Sequence, residues 1–411
     1  MKKISADASI SGNASPVTVP FTAYLAAKGF LEDLLAELGD EVIEVRGRLV
    51  LAKGAPRSAA WAQNTWETPV FLPIESIGDG ARKLTAIQRN WHLHSEENHR
   101  RASLIQEKLP HVSEKPRHFG EAAPTAPLGS WTLWEPNLIL ASARCSSPFP
   151  DGVVQFHENK IDPPSRAYLK LWESFTLLPK RPGPGDLCLD LGSAPGGWTW
   201  VLASLGAQVF SIDKAPLAPQ VDHMPGVSHC IGSGFALDPR HAGAVDWLFS
   251  DMICYPDKLY EVICRWIELG SCRNFVCTLK FQAETDHATA AKFAAIPGSR
   301  LMHLSCNKHE LTWAKLEQSN GWALHPPRNI GRGTLEKRVP PSSNLRARSP
   351  SLPFQGLLGL PNLAPQPFPV QIALGRLHLS EWKYSPTPSR TAPFRGRRFR
   401  NAERPPCRGA G

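Results

Sequence analysis

The chain has 411 residues, of which 42% are hydrophobic, and a formal net charge of +9. Its length suffices for two or three domains, and no stretch approaches the roughly 20 apolar residues of a membrane-spanning helix. The charge is uneven, since residues 317–411 contain 15 Lys and Arg but only 4 Asp and Glu, which leaves the rest slightly acidic. The net charge therefore does not indicate that the folded part binds nucleic acid.

The N-terminal residues 1–16 are small and polar, and we expect them to be disordered. They include two lysines but no apolar segment after them, so they do not resemble a secretory signal. The chain contains nine cysteines and no C-x-x-C pair. Most of the cysteines lie in apolar runs, such as Cys188 and Cys277, and are expected to be reduced core thiols. These features predict a cytoplasmic protein.

Residues 17–150 are predicted to form a small α+β domain that could bind RNA. Apolar residues between positions 21 and 38 recur at helical spacing, and Gly39 would end that helix. Residues 42–45 and 49–52 flank Arg46 and Gly47 and predict a β-hairpin.

The later part of this domain contains five tryptophans, which could form an RNA-stacking surface but are predicted to be core. They are Trp61, Trp66, Trp91, Trp131 and Trp134. Residues 91–99, WHLHSEENH, are the one dense cluster of histidines and acids, and their spacing fits no metal-site pattern. We expect a solvated helix face there, followed by a loop over residues 110–127.

Two prolines before Ser165 indicate the start of a helix over residues 165–175, with Ser165 as its N-cap. Leu169, Trp172 and Phe175 can share its buried side, while Lys170 points elsewhere.

Residues 186–213, DLCLDLGSAPGGWTWVLASLGAQVFSID, are the central stretch of the chain. A short apolar strand ends at Asp190, glycines follow within a few residues, and an amphipathic run over 198–205 precedes a second strand that ends at Asp213. Glycines at such a turn let backbone N–H groups approach a ligand closely. Asp213 follows Asp190 by 23 residues, a distance suited to hydrogen-bonding ribose hydroxyls. The alternative is a tight turn of the kind found in any α/β protein.

Strands and helices continue to alternate beyond this stretch. Strands are predicted at residues 245–249, 275–279, 300–305 and 311–314, with helices at 259–267 and 289–295. This rhythm predicts a mainly parallel sheet with helices on both faces, in which ligands bind at the carboxyl ends of the strands. Four charged residues follow such ends and favour a binding site there: Asp190, Asp213, Asp251 and Lys280.

Residues 317–411 contain 15 of the 39 prolines and a cluster of arginines near the end. This composition predicts a disordered tail. It could be an electrostatic tether for RNA, or an unnatural terminus of the kind that a frameshift produces.

Five motifs carry a family resemblance. The segment DLGSAPGGW (190–198) resembles the S-adenosylmethionine-binding turn of FtsJ-type ribosomal RNA 2′-O-methyltransferases. The segments SRAYLK (165–170), SDM (250–252), TLK (278–280) and HEL (309–311) resemble, in order, those that carry this family's Lys-Asp-Lys-Glu tetrad. Residues 146–175 are most similar to the RlmM-like branch, which modifies large-subunit ribosomal RNA and has an RNA-binding N-terminal domain.

The resemblance implies a Rossmann-like class I S-adenosylmethionine-dependent methyltransferase domain over residues 151–316, without a metal. The implied catalytic residues are Lys170, Asp251, Lys280 and Glu310. The implied cofactor-binding residues are Asp190, Gly192, Ser193, Pro195, Gly196, Gly197, Trp198, Asp213, Ser233 and Asp251. Ser233 stands where the family often has an acidic residue facing the adenine.

The implied chemistry requires a ribose hydroxyl to be aligned with the methyl group and to lose its proton. Lys280 is the expected base or polariser, Lys170 supports it, and Asp251 and Glu310 orient the ammonium groups. The main alternative is a non-catalytic RNA-binding or ribosome-assembly factor with the same fold, against which the intact tetrad argues. A small-molecule O-methyltransferase is a third reading, but such enzymes commonly use a metal or a histidine base.

Overall fold

A computed structural model of the chain describes residues 20–317. The predictions for residues 1–16 and for almost all of 317–411 therefore lie outside the described residues. The elements, in chain order, are β1 (Phe21–Ala26), α1 (Leu31–Leu38), β2 (Val42–Arg46), β3 (Leu49–Lys53), β4 (Ala62–Trp66), β5 (Pro69–Pro73), α2 (Ile77–Ile87), β6 (Trp91–Leu93), α3 (His99–Gln106), β7 (Gly129–Glu135), β8 (Leu138–Ser142), α4 (Tyr168–Leu177), β9 (Leu187–Leu191), α5 (Gly197–Ser204), β10 (Gln208–Asp213), α6 (Pro219–Asp222), β11 (Val227–Ile231), α7 (Pro239–Ala242), β12 (Val245–Ser250), α8 (Pro256–Glu268), β13 (Cys272–Lys280), α9 (His287–Ala294), β14 (Ser299–Met302) and β15 (Glu310–Lys315).

Two four-stranded sheets occupy the N-terminal part of the described chain, in the strand orders β2-β3-β1-β4 and β5-β8-β7-β6. The predicted hairpin is present as β2 and β3, which pair antiparallel. The single helix predicted over residues 21–38 is wrong in its first half, which forms β1. This strand lies between β3 and β4 and is buried on both faces, so its apolar residues do not alternate and imitate helical spacing. Gly39 does end α1, with a positive φ of 59°.

The five tryptophans are at most 5% exposed, so the core interpretation is confirmed. The solvated helix face predicted for residues 91–99 is wrong. Trp91–Leu93 form β6, which pairs in parallel with β7, and α3 begins only at His99. His94 is buried with its two ring nitrogens 2.9 Å from Asp151 Oδ2 and 2.8 Å from Glu96 Oε1. The two carboxylates provide hydrogen-bond partners for both ring nitrogens of His94, which the sequence alone did not reveal.

The seven-stranded sheet has the order β11-β10-β9-β12-β13-β15-β14. The strands β9 to β13 pair in parallel, whereas β15 runs antiparallel to both β13 and β14, so the predicted mainly parallel sheet is confirmed. Its edge strand β11 was not predicted, because its residues are mostly exposed and show no apolar run.

Helices cover both faces of this sheet. Along β12, Leu248 packs in the cluster that contains α8 and α9, while Trp247 and Phe249 pack in the cluster that contains α4 and α5. This alternation is what a strand between two helical layers requires. No helix within residues 20–317 is long and apolar enough to cross a membrane.

The helix α4 begins at Tyr168, three residues later than predicted, and its N-cap is Ala167 without a side-chain hydrogen bond. Ser165 is therefore not the N-cap. It instead lies beside the glycine turn before α5, where the hydroxyl is 2.5 Å from the position that a Cβ of Gly197 would occupy.

Candidate active site

A cavity of about 390 Å³ lies at the carboxyl ends of β9, β10, β12 and β13. Its position is the one expected for ligand binding in a doubly wound α/β sheet. Most of the predicted cofactor-binding residues line it, namely Asp190, Gly192, Ser193, Pro195, Gly197, Trp198, Asp213, Ser233 and Asp251. Lys280 of the predicted tetrad also lines it.

Gly196 is not among the lining residues, and its side-chain hydrogen points away from the cavity. A Cβ there would lie 3.0 Å from Val221 and 3.3 Å from Leu217. The backbone requires glycine, because Gly196 has a φ of +108° at the start of α5. The predicted role of Gly196 in cofactor binding therefore rests on its backbone and not on space left by a missing side chain.

At Gly192, both the backbone conformation and the neighbouring atoms require glycine. Its φ is +75°, and a Cβ would lie only 2.2 Å from Cγ of Met252, so the turn after β9 packs directly on the segment after β12. Asp213 fixes the same turn from β10, because its carboxylate accepts hydrogen bonds from the backbone N–H groups of Ala194 (3.1 Å) and Ala215 (2.9 Å).

Two buried polar atoms next to the cavity lack a hydrogen-bond partner within residues 20–317. They are Oδ1 of Asp190 and the hydroxyl of Ser193. The other carboxylate oxygen of Asp190 accepts a hydrogen bond from the Thr199 hydroxyl at 2.7 Å. Because unpaired buried polar atoms are costly, these two atoms fit a ligand that carries polar groups into this end of the cavity.

The four predicted tetrad residues lie together beside the cavity. Nζ of Lys170 is 3.0 Å from Oδ1 of Asp251 and 2.7 Å from Oε1 of Glu310, and Nζ of Lys280 is 3.0 Å from the same Asp251 oxygen. One carboxylate thus bridges two ammonium groups. Each of the four side chains is between 10% and 19% exposed.

Residues 163–284 match the family model described as FtsJ-like methyltransferase. The match is confined to this segment of the chain, which is similar to that family.

Curated relatives match about a third of the chain. The Ribosomal RNA large subunit methyltransferase M of Laribacter hongkongensis is 37% identical over 147 residues, which cover 34% of this chain and 41% of the relative. The protein of the same name from Halorhodospira halophila is 38% identical over 135 residues, which cover 32% of this chain and 39% of the relative. The matched segment thus spans less than half the length of these two relatives. Among solved structures, Aeropyrum pernix fibrillarin in complex with S-adenosyl-L-methionine aligns with 47% of this chain and 84% of that chain, at 15% identity and a TM-score of 0.28.

The two lysines of the tetrad differ in position. Lys280 and Asp251 line the cavity, whereas Lys170 and Glu310 lie behind them, outside the lining. Burial lowers the pKa of the Lys170 ammonium, but the charges of Asp251 and Glu310 outweigh burial and leave that pKa raised. Lys170 therefore remains a cation, and Lys280 is the lysine that a substrate in the cavity would meet.

Sequence reasoning missed apolar residues of the cavity rim in the FtsJ-like domain. Ile253 follows the SDM motif and lines the cavity although it is 82% exposed, and Phe235, at 37% exposure, lines it next to Ser233. Because Ile253 comes directly after a motif at the end of a strand, its position in the sequence could have indicated an apolar residue at the cavity rim. Among the described residues, no group of three or more His, Cys, Asp or Glu side chains is suited to hold a metal ion.

Proposed function

We propose that the FtsJ-like domain is an S-adenosylmethionine-dependent methyltransferase that methylates a ribose 2′-hydroxyl of RNA, specifically of large-subunit ribosomal RNA. The observation that carries the proposal is the carboxylate of Asp251, which bridges Lys170 and Lys280 at the wall of the cavity. The names of the curated relatives support ribosomal RNA as the substrate.

The cavity has the groups that the cofactor needs. The Asp213 carboxylate stands at the end of β10, where it would accept hydrogen bonds from ribose hydroxyls, and Ser233, which also lines the cavity, would face the adenine. Asp190 and Ser193 offer their unpaired oxygens to the polar methionine end. S-adenosylmethionine supplies an electrophilic methyl group on a sulfonium, so the chain needs no group to activate the donor.

The protein must position the nucleophile and remove its proton. Alignment of a hydroxyl with the methyl group can lower the barrier by roughly 7–11 kcal/mol. Lys280 lines the cavity and, in its neutral form, accepts the hydroxyl proton at Nζ. Asp251 orients Lys280, and Lys170 with Glu310 holds Asp251 in place from behind.

The RNA would extend beyond this cavity, and we propose that residues 17–150 contribute to its binding. The five tryptophans of that region are buried, so bases would not stack on them. We propose that the basic residues of 317–411 act as an electrostatic tether.

The test is mass-spectrometric mapping of ribose methylation in ribosomal RNA from cells with and without the gene. One large-subunit nucleotide should lose its methyl group and regain it when the purified protein and S-adenosylmethionine are added. The Lys280→Ala variant should not restore it, whereas Lys258→Ala should, because Lys258 is an exposed lysine of α8. Unchanged methylation at every position, together with bound RNA, would favour the non-catalytic assembly factor.

A further inference from the structure

A cluster of aromatic and imidazole rings joins the N-terminal part of the chain to the two strand ends that carry Lys280 and Glu310. Its members are Phe30, Trp61, Phe281, His303 and His309. Phe281 directly follows Lys280, and His309 directly precedes Glu310. The cluster therefore touches both strands at the residue next to a charged group of the site.

The rings are in close contact. The centroid of the Trp61 ring is 5.9 Å from that of Phe281 and 6.1 Å from that of His309, and the Phe30 ring stacks on His309 at 5.8 Å. Trp61 and Phe30 also stack on each other at 5.0 Å. Aromatic pairs at these separations stabilise each other beyond their buried area.

Trp61 is itself held firmly. The carboxylate of Glu37 accepts hydrogen bonds from the backbone N–H groups of Ala60 (2.7 Å) and Trp61 (3.0 Å). The carbonyl of Ala60 accepts a hydrogen bond from the N–H of His303 at 2.9 Å, which ties this segment to the chain after β14. The Trp61 side chain is 1% exposed, so it is a rigid support rather than a mobile surface group.

His309 has a second link to the N-terminal part. Its Nε2 atom is 2.7 Å from the hydroxyl of Thr285, and that hydroxyl donates a hydrogen bond to Asp33 of α1. The ring of His309 is thus fixed on its face by Phe30 and Trp61 and at its edge through Asp33.

The aromatic cluster contacts the sheet where the pairing of β13 with β15 ends. Lys280 and Glu310 are the last residue pair in the register of β13 and β15. Beyond them a hydrogen bond from the N–H of Phe281 to the carbonyl of His309 (3.1 Å) closes the strand ends. A catalytic ammonium group must be held to within about 0.5 Å, and a terminal pair needs packing from outside the sheet to achieve that.

We propose that Trp61 and Phe30 are positioning residues for the reaction, which hold Lys280 and Glu310 in place through Phe281 and His309. The inference rests on the proposed function for its catalytic consequence. It means that the N-terminal part of the chain completes the active site mechanically, in addition to any contact with RNA.

The variant Trp61→Leu tests the proposal, with Trp66→Leu as its matched control. Both tryptophans are fully buried in the same region, but Trp66 packs with Leu49 and Trp134, away from the cavity. Single-turnover methyl transfer to protein-free large-subunit ribosomal RNA should fall roughly ten- to a hundredfold in Trp61→Leu. Trp66→Leu should keep the rate, both variants should keep S-adenosylmethionine affinity, and Trp61→Phe should restore most of the rate.

A second measurement does not depend on RNA. The acetylation rate of Lys280 under limiting reagent, measured by mass spectrometry relative to the exposed Lys258, should rise in Trp61→Leu and in the milder Phe30→Leu, but not in Trp66→Leu. Equal methyl-transfer rates and equal Lys280 labelling in the Trp61 and Trp66 variants would overturn the positioning role. A wild-type protein that methylates no RNA would instead overturn the proposed function, while the labelling comparison would still decide whether Trp61 positions Lys280.

Discussion

Lys280 and Glu310 lie directly opposite each other in the register of β13 and β15, yet each pairs with a different partner. The ammonium of Lys280 contacts Asp251, and the carboxylate of Glu310 contacts Lys170. The four charges therefore form a chain in the order Lys280, Asp251, Lys170 and Glu310, with the cavity at the Lys280 end. Loss of an inner member should lower the free energy of unfolding, whereas loss of Lys280 should slow methyl transfer.

Replacing Lys170, an inner member of this chain of charges, tests the predicted effect on stability. In Lys170→Met, the carboxylates of Asp251 and Glu310 would lose the cation that lies between them. The Lys170 side chain is only 10% exposed, so water would replace that cation poorly. We expect a loss of about 3–5 kcal/mol in the free energy of unfolding, as for other broken buried ion pairs. Urea denaturation is the measurement. The control Lys258→Met removes an exposed pair with Glu261 and should change stability by less than about 0.5 kcal/mol.

The glycine turn gives a second prediction. Gly192→Ala would place a Cβ 2.2 Å from Met252 on a backbone with a φ of +75°, so the turn and the segment after Asp251 must separate. We expect S-adenosylmethionine affinity to fall at least tenfold, about 1.4 kcal/mol, in calorimetric titration. The control Gly183→Ala meets no atom within 4 Å and should bind like the wild type. Gly196→Val should lower the free energy of unfolding, because it strains the backbone and brings the new side chain against Val221. Wild-type affinity in Gly192→Ala would remove this turn from the cofactor site.

Asp190 predicts a pH dependence of stability. Burial raises the pKa of its carboxyl from the ordinary 3.8 to about 7, against the opposing hydrogen bond from Thr199. The native state therefore holds this proton more tightly than the unfolded state. The stabilisation is complete below about pH 4 and is lost as the pH rises through about 7.

The comparison with Asp190→Asn isolates this effect, because asparagine does not titrate. The stability of the wild type relative to the variant should decline with rising pH across that window, by on the order of 1.4 kcal/mol per pH unit. Denaturation curves at several pH values are the check. The exposed Asp222→Asn is the control, and an equal decline in both comparisons would contradict the assignment to Asp190.

The sequence predicted the central strands, the parallel sheet and the approach of the tetrad residues because strand ends carry local signals. Asp213, Asp251 and Lys280 follow apolar runs, and the order of parallel strands then brings them together. It did not predict β1, whose two buried faces erase alternation, or the burial of His94, which depends on Asp151 far along the chain. The pairing of Asp251 with both lysines likewise depends on where α4 packs.

The basic residues of 317–411 predict a salt effect. If they tether RNA, their removal should weaken RNA binding and flatten its salt dependence, since fewer counterions are released. The slope of log affinity against log salt should decrease in magnitude by about 0.7 to 0.9 for each phosphate that the shortened chain no longer neutralises. Filter binding at several salt concentrations measures it, with methyl transfer at saturating RNA as the control that should persist. An unchanged slope would mean that these residues do not bind RNA.

The outer member of the charge chain, Lys280, tests the chemistry directly. Its ammonium lies at the cavity wall 3.0 Å from Asp251, and its side chain is 19% exposed, so a substrate hydroxyl can reach it. Lys280→Ala should leave cofactor affinity nearly intact and cut single-turnover methyl transfer by about 10²–10⁴-fold, roughly 3–5 kcal/mol, as expected for lost general acid–base catalysis. Lys280→Arg keeps the charge next to Asp251 but cannot accept a proton, because a guanidinium stays protonated. It should therefore be as slow as the alanine variant, and transfer near the wild-type rate would mean that Lys280 acts through its charge and that another group removes the proton.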